Sequence, residues 1–183
     1  MMGSLRSSLW LAAVAGVLAS CDSGGDKDEP QIQDGQLYPA VRVQDCDGNE
    51  IDFRAWLGQH DVSFVTFAAQ WCVACQEEAP VINAKVVDGL SSQGDKVGVA
   101  QILVENQPGE PPKPGLCAAW RDDLEAKFQV LIDLRQENVE PLFGGTVSIL
   151  PLHLVVTRDG IIRYHKLGYL PTDIAELIEG WIP

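Results

Sequence analysis

Residues 61–80 read DVSFVTFAAQWCVACQEEAP, and this stretch decides the fold. An apolar run rich in Val, Phe and Thr, Asp61 to Ala68, predicts a central strand that is buried on both faces. The run leads into Trp-Cys-x-x-Cys, where a helical pattern begins. Cysteines three residues apart at a helix start share one face and can close a disulfide with little backbone movement. A helix N-terminus also stabilises a thiolate, so we expect Cys72 to be the nucleophile of a redox-active dithiol and Cys75 its resolving partner.

Apolar residues recur at helical spacing after the dithiol. They stand at Ala79, Ile82, Val86 and Leu90 and predict one buried stripe along the helix. Pro80 lies inside this pattern and removes a backbone donor, which predicts a kink.

The other patterns predict further strands and helices around this unit. The predicted elements are a hairpin of strands 41–43 and 51–53, a buried strand over 96–105, a helix on the repeat Leu116, Trp120, Leu124 and Phe128, a short edge strand over 130–134, a hairpin of strands 152–157 and 161–165, and a C-terminal helix carrying Ile174, Leu177, Ile178 and Trp181. Early strand–helix alternation followed by a hairpin predicts an α/β domain with a mixed central sheet that is flanked by helices.

The N-terminus has the pattern of an export signal. Arg6 is the only charged residue before an apolar run, Leu9 to Ala19, that is too short to span a bilayer comfortably. The last residues of the segment, 18–21, read LASC and resemble the lipobox of bacterial lipoproteins, in which the cysteine is lipidated and becomes the first residue after cleavage. An ordinary secretory signal beside a free cysteine is the alternative.

These features predict three regions along the chain. Residues 1–20 are the expected lipoprotein signal peptide, residues 21–36 form a polar, flexible tether from the lipidated Cys21, and residues 37–183 form one domain. Asp22, directly after the cysteine, weakly favours the inner membrane by the sorting rule of enteric bacteria.

The composition limits the classes of partner. The formal net charge is −13, and removal of Arg6 with the signal peptide changes it to −14. Such an acidic chain repels nucleic acid and anionic lipid headgroups, so we expect no nucleic-acid partner and attribute membrane association to the lipid.

Two separated motifs resemble one known family. Residues 67–80, FAAQWCVACQEEAP, are similar to the Phe-Trp-Ala-x-Trp-Cys-x-x-Cys-x-x-Glu-x-Pro signature of the TlpA/ResA-like branch of thioredoxin-fold proteins. Residues 148–155, SILPLHLV, and the following Arg158-Asp159-Gly160 resemble that family's cis-proline strand and Asp-Gly turn. The resemblance covers approximately residues 37–182. It implies a thioredoxin-like fold and a membrane-anchored thiol-disulfide oxidoreductase.

The sequence departs from the family's pattern near the dithiol. Ala68 stands where Trp is frequent and Ala74 where Pro is common, while Thr66 occupies the place of thioredoxin's buried aspartate. A proton acceptor must therefore come from elsewhere. Glu78 matches the glutamate of the branch and lies one helical turn beyond Cys75, so we expect it to exchange protons with Cys75 near neutral pH. A solvated surface glutamate is the alternative.

The resemblance also implies a substrate-binding edge. A cis peptide bond before Pro151 is expected beside the dithiol, and it leaves the backbone of Leu150 free to pair with an extended substrate segment. Trp71 is expected to offer substrate an apolar contact, with simple packing as the alternative. His153 can approach the dithiol, although a satisfied strand histidine is favoured.

Cys46 and Cys117 are left outside the dithiol. Two leftover cysteines of an exported protein most often bond to each other, so we favour a structural Cys46–Cys117 disulfide. A buried free thiol or a third redox partner remains the alternative.

Other functions fit the motifs less well. A structural zinc site needs a second close pair of ligands, which is lacking, and the copper-delivery proteins of this fold space their cysteines one residue wider, so we expect no metal. Peroxiredoxins share the fold, but Ala69 and Phe67 precede Cys72 without the Thr or Pro of their Pro-x-x-x-Thr-x-x-Cys pattern. A tethered, non-catalytic interaction module needs only a stapling disulfide.

The sequence therefore predicts an extracytoplasmic, lipid-anchored reductant of protein disulfides. Its partners would be protein disulfides or dithiols and a membrane or periplasmic thiol electron donor, and it would need no cofactor beyond the Cys72–Cys75 disulfide. The role as a reductant is predicted from the residues around the dithiol. Val73-Ala74 offers no cation to stabilise a thiolate, and Glu77 and Glu78 disfavour added negative charge, so the reduced form gains little extra stability. By analogy with the branch, cytochrome c maturation is one possible pathway.

Overall fold

The computed structural model describes residues 30–183. The predicted signal peptide over 1–20 and the predicted lipidation site at Cys21 lie outside the described residues. Within residues 30–183, no helix combines the length and the apolar character needed to cross a membrane.

The end of the predicted tether contacts the domain. Ile32 is buried, and the backbone N–H of Gln31 donates to the carbonyl of Leu142. Gly35 likewise donates to the carbonyl of Ile162. Packing thus extends upstream of the predicted domain boundary at residue 37.

A seven-stranded mixed sheet forms the centre of the molecule. Its strands are β1 (Arg42–Asp45), β2 (Glu50–Asp52), β3 (Val62–Ala69), β4 (Val97–Glu105), β5 (Gln129–Ile132), β6 (Leu152–Thr157) and β7 (Ile162–Leu167), in the spatial order β2-β1-β5-β4-β3-β6-β7. The pairs β3–β4 and β4–β5 are parallel, and the others are antiparallel. All eight residues of β3 are buried, as expected for a strand covered on both faces.

Within residues 30–183, five α-helices accompany the sheet. They are α1 (Phe53–Leu57), α2 (Val73–Ile82), α3 (Gly115–Asp123), α4 (Val139–Phe143) and α5 (Ile174–Glu179). A π-helical segment, Asn83–Asp88, continues α2 beyond Pro80, and a 3-10 segment, Ser91–Lys96, leads into β4. The predicted stripe of Ala79, Ile82, Val86 and Leu90 is entirely buried. The predicted architecture, a mixed sheet flanked by helices with an N-terminal hairpin, is confirmed.

Several element boundaries differ from the sequence prediction. The strand predicted at an edge is interior, because β1 pairs with β5 on the side away from β4. The helix predicted from Leu116 to Phe128 ends at Asp123, and Glu125 beyond it adopts a positive φ of 49°. The C-terminal helix ends at Glu179, so Trp181 lies past it and is 42% exposed.

Candidate active site

A disulfide between Cys72 and Cys75 lies at the start of α2. Cys72 is the N-cap residue, and its Sγ accepts a hydrogen bond from the backbone N–H of Cys75 at 3.1 Å. A sulfur in this position is held against the positive end of the helix dipole, which favours its thiolate form after reduction. Cys75 is fully buried and Cys72 is 3% exposed, whereas Val73 between them is 63% exposed.

A tight turn after β3 sets the position of the dithiol. The backbone N–H of Cys72 donates to the carbonyl of Ala69 at 3.0 Å, and the side-chain amide of Gln76 donates to the carbonyl of Gln70 at 3.0 Å. These bonds connect the buried strand to the first turn of α2. The dithiol is therefore fixed at the carboxyl end of a central strand.

Trp71 is oriented by a buried carboxylate. Its indole Nε1 donates to Oε2 of Glu105 at 2.8 Å, while Oε1 of Glu105 accepts from the backbone N–H of Gly109 at 3.0 Å. Glu105 is only 2% exposed. No motif marks Glu105 in the sequence, although its place at the carboxyl end of the strand parallel to β3 could have indicated a position near Trp71.

The Leu150–Pro151 peptide bond is cis and lies at the same end of the sheet. The strand that follows it, β6, pairs with β3 so that Leu152 is opposite Phe67. The carbonyl of Pro151 accepts from the backbone N–H of Gly168 at 2.8 Å, which ties this corner to the segment after β7. Leu150 itself is buried, with 8% of its surface exposed.

Glu78 is buried rather than solvated. Its Oε1 accepts from the backbone N–H of Leu170 at 2.6 Å, and its Oε2 lies 3.2 Å from Nε2 of His153. The Glu78–His153 distance suits an ion pair, but the two groups are not aligned for a hydrogen bond.

His153 differs from the satisfied strand histidine expected from the sequence. Its ring is fully buried, stacks on Phe64 with centroids 5.7 Å apart, and has no hydrogen-bond partner on either nitrogen among residues 30–183. The carboxylate of Glu78 is a charged neighbour of the ring. A histidine two residues after Pro151 was visible in the sequence, but its pairing with α2 was not.

Cys46 and Cys117 are joined by a second disulfide. It connects the turn after β1 to α3, and both sulfur atoms lie near the carbonyl of Val130, at 3.6 and 3.5 Å. All four cysteines of the described segment are thus paired. The same segment contains no cluster of three or more His, Cys, Asp or Glu side chains arranged to hold a metal.

Solved structures of low sequence identity share this architecture. The thioredoxin domain of a thiol-disulfide oxidoreductase from Bacteroides vulgatus is 16% identical and superposes with a TM-score of 0.65 over 83% of this chain and 99% of that one. An exposed lipoprotein thioredoxin from Streptococcus pneumoniae is 19% identical and superposes with a TM-score of 0.60 over 76% of this chain and 98% of that one. A peroxiredoxin-like protein from Aquifex aeolicus is 14% identical, with a TM-score of 0.63 over 85% of this chain and 91% of that one. These similarities confirm the thioredoxin-like fold.

Comparisons of sequence assign the family more directly. No curated protein matches the chain. The family model described as AhpC/TSA family matches residues 35–165, a region that contains both disulfides, Glu78, Pro151 and His153. Because the match extends over well over half of the sequence, this protein belongs to the AhpC/TSA family.

Proposed function

We propose that this protein is a membrane-anchored, extracytoplasmic thiol-disulfide oxidoreductase of the TlpA/ResA-like kind, and that it reduces disulfides in other proteins. The observation that carries the proposal is the N-cap position of Cys72, whose sulfur already accepts a backbone N–H bond at 3.1 Å. A thiolate in that position is a better nucleophile at neutral pH than a free cysteine thiol.

The proposed reaction is a two-step disulfide exchange. The thiolate of Cys72 attacks one sulfur of a substrate disulfide, the substrate S–S bond breaks, and the other substrate sulfur leaves as a thiolate. The thiol of Cys75 then loses its proton and attacks Cys72 Sγ, which closes the Cys72–Cys75 bond and releases the second substrate thiolate. The substrate gains two electrons and the dithiol loses two. A protein thiol donor in the membrane or periplasm restores the reduced pair.

Substrate would bind across the surface between Val73 and the cis-proline corner. Val73, Ile149 and Tyr169 are exposed apolar side chains, and the chain positions of all three adjoin the dithiol, Pro151 or the Leu170 contact to Glu78. The backbone of Leu150 takes part in no turn or loop hydrogen bond within residues 30–183. In the proposed complex an extended peptide pairs with this backbone, while Trp71 supplies an apolar contact.

Anchoring is assigned to Cys21. The LASC sequence at 18–21 supports lipidation, and the structurally similar pneumococcal protein is described as an exposed lipoprotein thioredoxin. We place the domain on the periplasmic face if the cell is Gram-negative, with the inner membrane weakly favoured by Asp22.

A trapping experiment tests the exchange reaction. In a Cys75→Ala variant the second step is blocked, so mixed disulfides on Cys72 should accumulate in cells and resolve on treatment with dithiothreitol. The Cys72→Ala/Cys75→Ala variant is the matched control and should capture nothing. Absence of dithiothreitol-sensitive adducts from normally expressed Cys75→Ala protein would contradict the proposal.

A redox titration separates exchange from a stapling role. An exchanging pair should equilibrate with glutathione or dithiothreitol and have a reduction potential in the thioredoxin range, about −270 mV. Structural disulfides have reduction potentials below about −300 mV and therefore resist reduction. A Cys72–Cys75 potential in the second range would favour the tethered, non-catalytic module.

Peroxide reduction is the second candidate, because the family match and the Aquifex aeolicus structure both point toward peroxiredoxin-like proteins. The reduced protein should then consume hydrogen peroxide faster than it reduces a protein disulfide. We expect the opposite order, since Ala69 stands where the peroxiredoxin pattern has threonine.

A further inference from the structure

Four of the six buried side-chain polar atoms that lack hydrogen-bond partners among residues 30–183 belong to three residues, Thr66, Glu78 and His153. They are Oγ1 of Thr66, Oε2 of Glu78 and both ring nitrogens of His153. Buried polar groups are normally paired, and each orphan costs free energy. Unpaired buried polar groups of this kind occur at sites with a catalytic or redox role.

The geometry connects this cluster to Cys75. Glu78 follows Cys75 by three residues in α2, so both side chains lie on the same face of the helix, and both are buried. Thr66 is opposite His153 in the β3–β6 register and therefore shares its face of the sheet. Nε2 of His153 lies 3.2 Å from Oε2 of Glu78.

We propose that Glu78 and His153 act as one proton-storing pair, in which Glu78 takes the proton of Cys75 during resolution and His153 holds it. The inference rests on the proposed exchange reaction and adds His153 to its machinery. Glu78 would touch the reacting thiol, and His153 would act through Glu78.

In the proposed reaction the proton that Cys75 loses stays within the site. Before resolution the pair is a Glu78 carboxylate beside a neutral His153 imidazole. The Cys75 thiol transfers its proton to Glu78, the proton passes to Nε2 of His153, and the Cys75 thiolate attacks Cys72 Sγ to form the disulfide. The pair is then a carboxylate beside an imidazolium, which attract each other in the low-dielectric interior. When an external thiol reduces the disulfide, Cys75 leaves as a thiolate and recovers the proton.

The groups around His153 are consistent with this assignment. From α2 it faces Glu78, and from β3 it faces Thr66 and Phe64, which carry no charge. From β7, Lys166 lies opposite it in the register.

Tyr164 is the other titratable group on this face of β7, opposite Val155. Burial raises the pKa of Tyr164, with the charges of Asp173 and Asp34 as smaller causes. The phenol therefore keeps its proton through the neutral range and does not compete with His153.

The two thiol steps can be timed separately with 5,5′-dithiobis(2-nitrobenzoate). Attack by Cys72 releases the first thionitrobenzoate, and resolution by Cys75 releases the second. In the His153→Gln variant the first phase should be unchanged, while the second should slow roughly tenfold at pH 7, less than the loss of a complete general base because Glu78 remains. The defect should shrink above about pH 8.5, where a cysteine thiol ionises without help.

His165→Gln is the matched control, because His165 pairs with Asp34 at the surface and does not contact Glu78. It should leave both phases at wild-type rates. A second phase in His153→Gln that equals wild type at every pH overturns the inference. Equal slowing of both phases at every pH also overturns it, since that pattern reports damaged packing.

A measurement on the unmodified protein is independent of any folding defect. Nitrogen-15 NMR of the imidazoles should show His153 protonated on both nitrogens in the oxidised protein at pH 7 and on one nitrogen after reduction with dithiothreitol. An identical protonation state in both forms overturns the proposal. If wild-type protein releases no second thionitrobenzoate, the proposed exchange fails. If it releases both and His153→Gln matches it, only the proton-storing pair fails.

Discussion

At the residue scale, the carboxylate of Glu105 is the structural partner on which Trp71 depends. It accepts from the Trp71 indole and from the Gly109 backbone, and it is nearly inaccessible to solvent. In the Glu105→Gln variant the amide nitrogen would face one of these donors, so one buried hydrogen bond to a charged acceptor is lost. We expect the free energy of unfolding in urea to fall by about 1–3 kcal/mol.

The exposed Glu110 of the neighbouring loop provides the control for this prediction. Glu110→Gln should unfold at the wild-type urea concentration. Equal midpoints for Glu105→Gln and wild type would show that the Trp71 contact contributes nothing measurable to stability.

Asp133 gives a prediction about pH. It is fully buried and accepts from the backbone N–H groups of Glu137 and Asn138 and from the Asn138 side chain. Burial raises the pKa of Asp133 despite these bonds. The folded state therefore binds this proton more tightly than the unfolded state, and the resulting stabilisation is present below the ordinary value of about 4 and is lost as pH rises through the raised pKa.

Replacing this carboxyl group should weaken the dependence of the free energy of unfolding on pH. Urea unfolding of Asp133→Asn and wild type, compared from pH 4 to pH 7, should show that wild type loses more stability than the variant as pH rises. The loss of one hydrogen-bond acceptor changes the free energy of unfolding of the variant by the same amount at every pH. The comparison therefore concerns how steeply the free energy of unfolding depends on pH in the two proteins. Parallel curves would mean that Asp133 titrates alike in the folded and unfolded states.

At the element scale, what the sequence predicted depended on local patterns. β3 and α2 were predicted because an uninterrupted apolar run and a 3.6-residue stripe are contained in their own residues. The helices α1 and α4 were not, since five residues hold little more than one turn and show no periodicity.

Non-local pairing could not be read from the sequence. The strand β5 is interior because β1, which lies far upstream in the sequence, pairs with it. The Glu78–His153 contact likewise requires α2 to pack on β6 in one particular way. In the candidate site, therefore, the residues of the two motifs were predicted individually. The contact between Glu78 and His153, and the hydrogen bonds of Glu105 to Trp71 and Gly109, came only from the structure.

The Cys46–Cys117 disulfide stabilises the contact between two elements distant in sequence. It closes a loop with a sequence separation of 71 residues between the turn after β1 and α3. Restricting the unfolded chain over such a loop contributes about 4 kcal/mol. The Cys46→Ala/Cys117→Ala variant should therefore unfold at a clearly lower urea concentration than wild type.

The activity of that double variant separates a structural bridge from a third redox partner. Under native conditions it should release both thionitrobenzoate equivalents at wild-type rates, because neither cysteine contacts the dithiol in the proposed reaction. Loss of the second equivalent from a folded variant would assign Cys46 or Cys117 a part in the exchange.

At the scale of the whole molecule, the proposed lipid on Cys21 decides where the domain works. Wild-type protein should sediment with membranes and be released by detergent, because burial of acyl chains outweighs the repulsion of an acidic domain from anionic headgroups. Cys21→Ala should appear in the soluble or secreted fraction, while the control Ser23→Ala should remain with membranes. Membrane retention of Cys21→Ala in carbonate-washed vesicles would assign anchoring to another segment.

The order of strands has a consequence for neighbouring copies of the protein. One edge strand of the sheet is β2, which is only three residues long and begins with Glu50 and ends with Asp52. The other is β7, which carries Arg163, His165 and Lys166. Short edge strands and charged edge strands both resist the edge-to-edge pairing that begins aggregation. Crowded molecules of this protein can therefore collide without building a continuous intermolecular sheet.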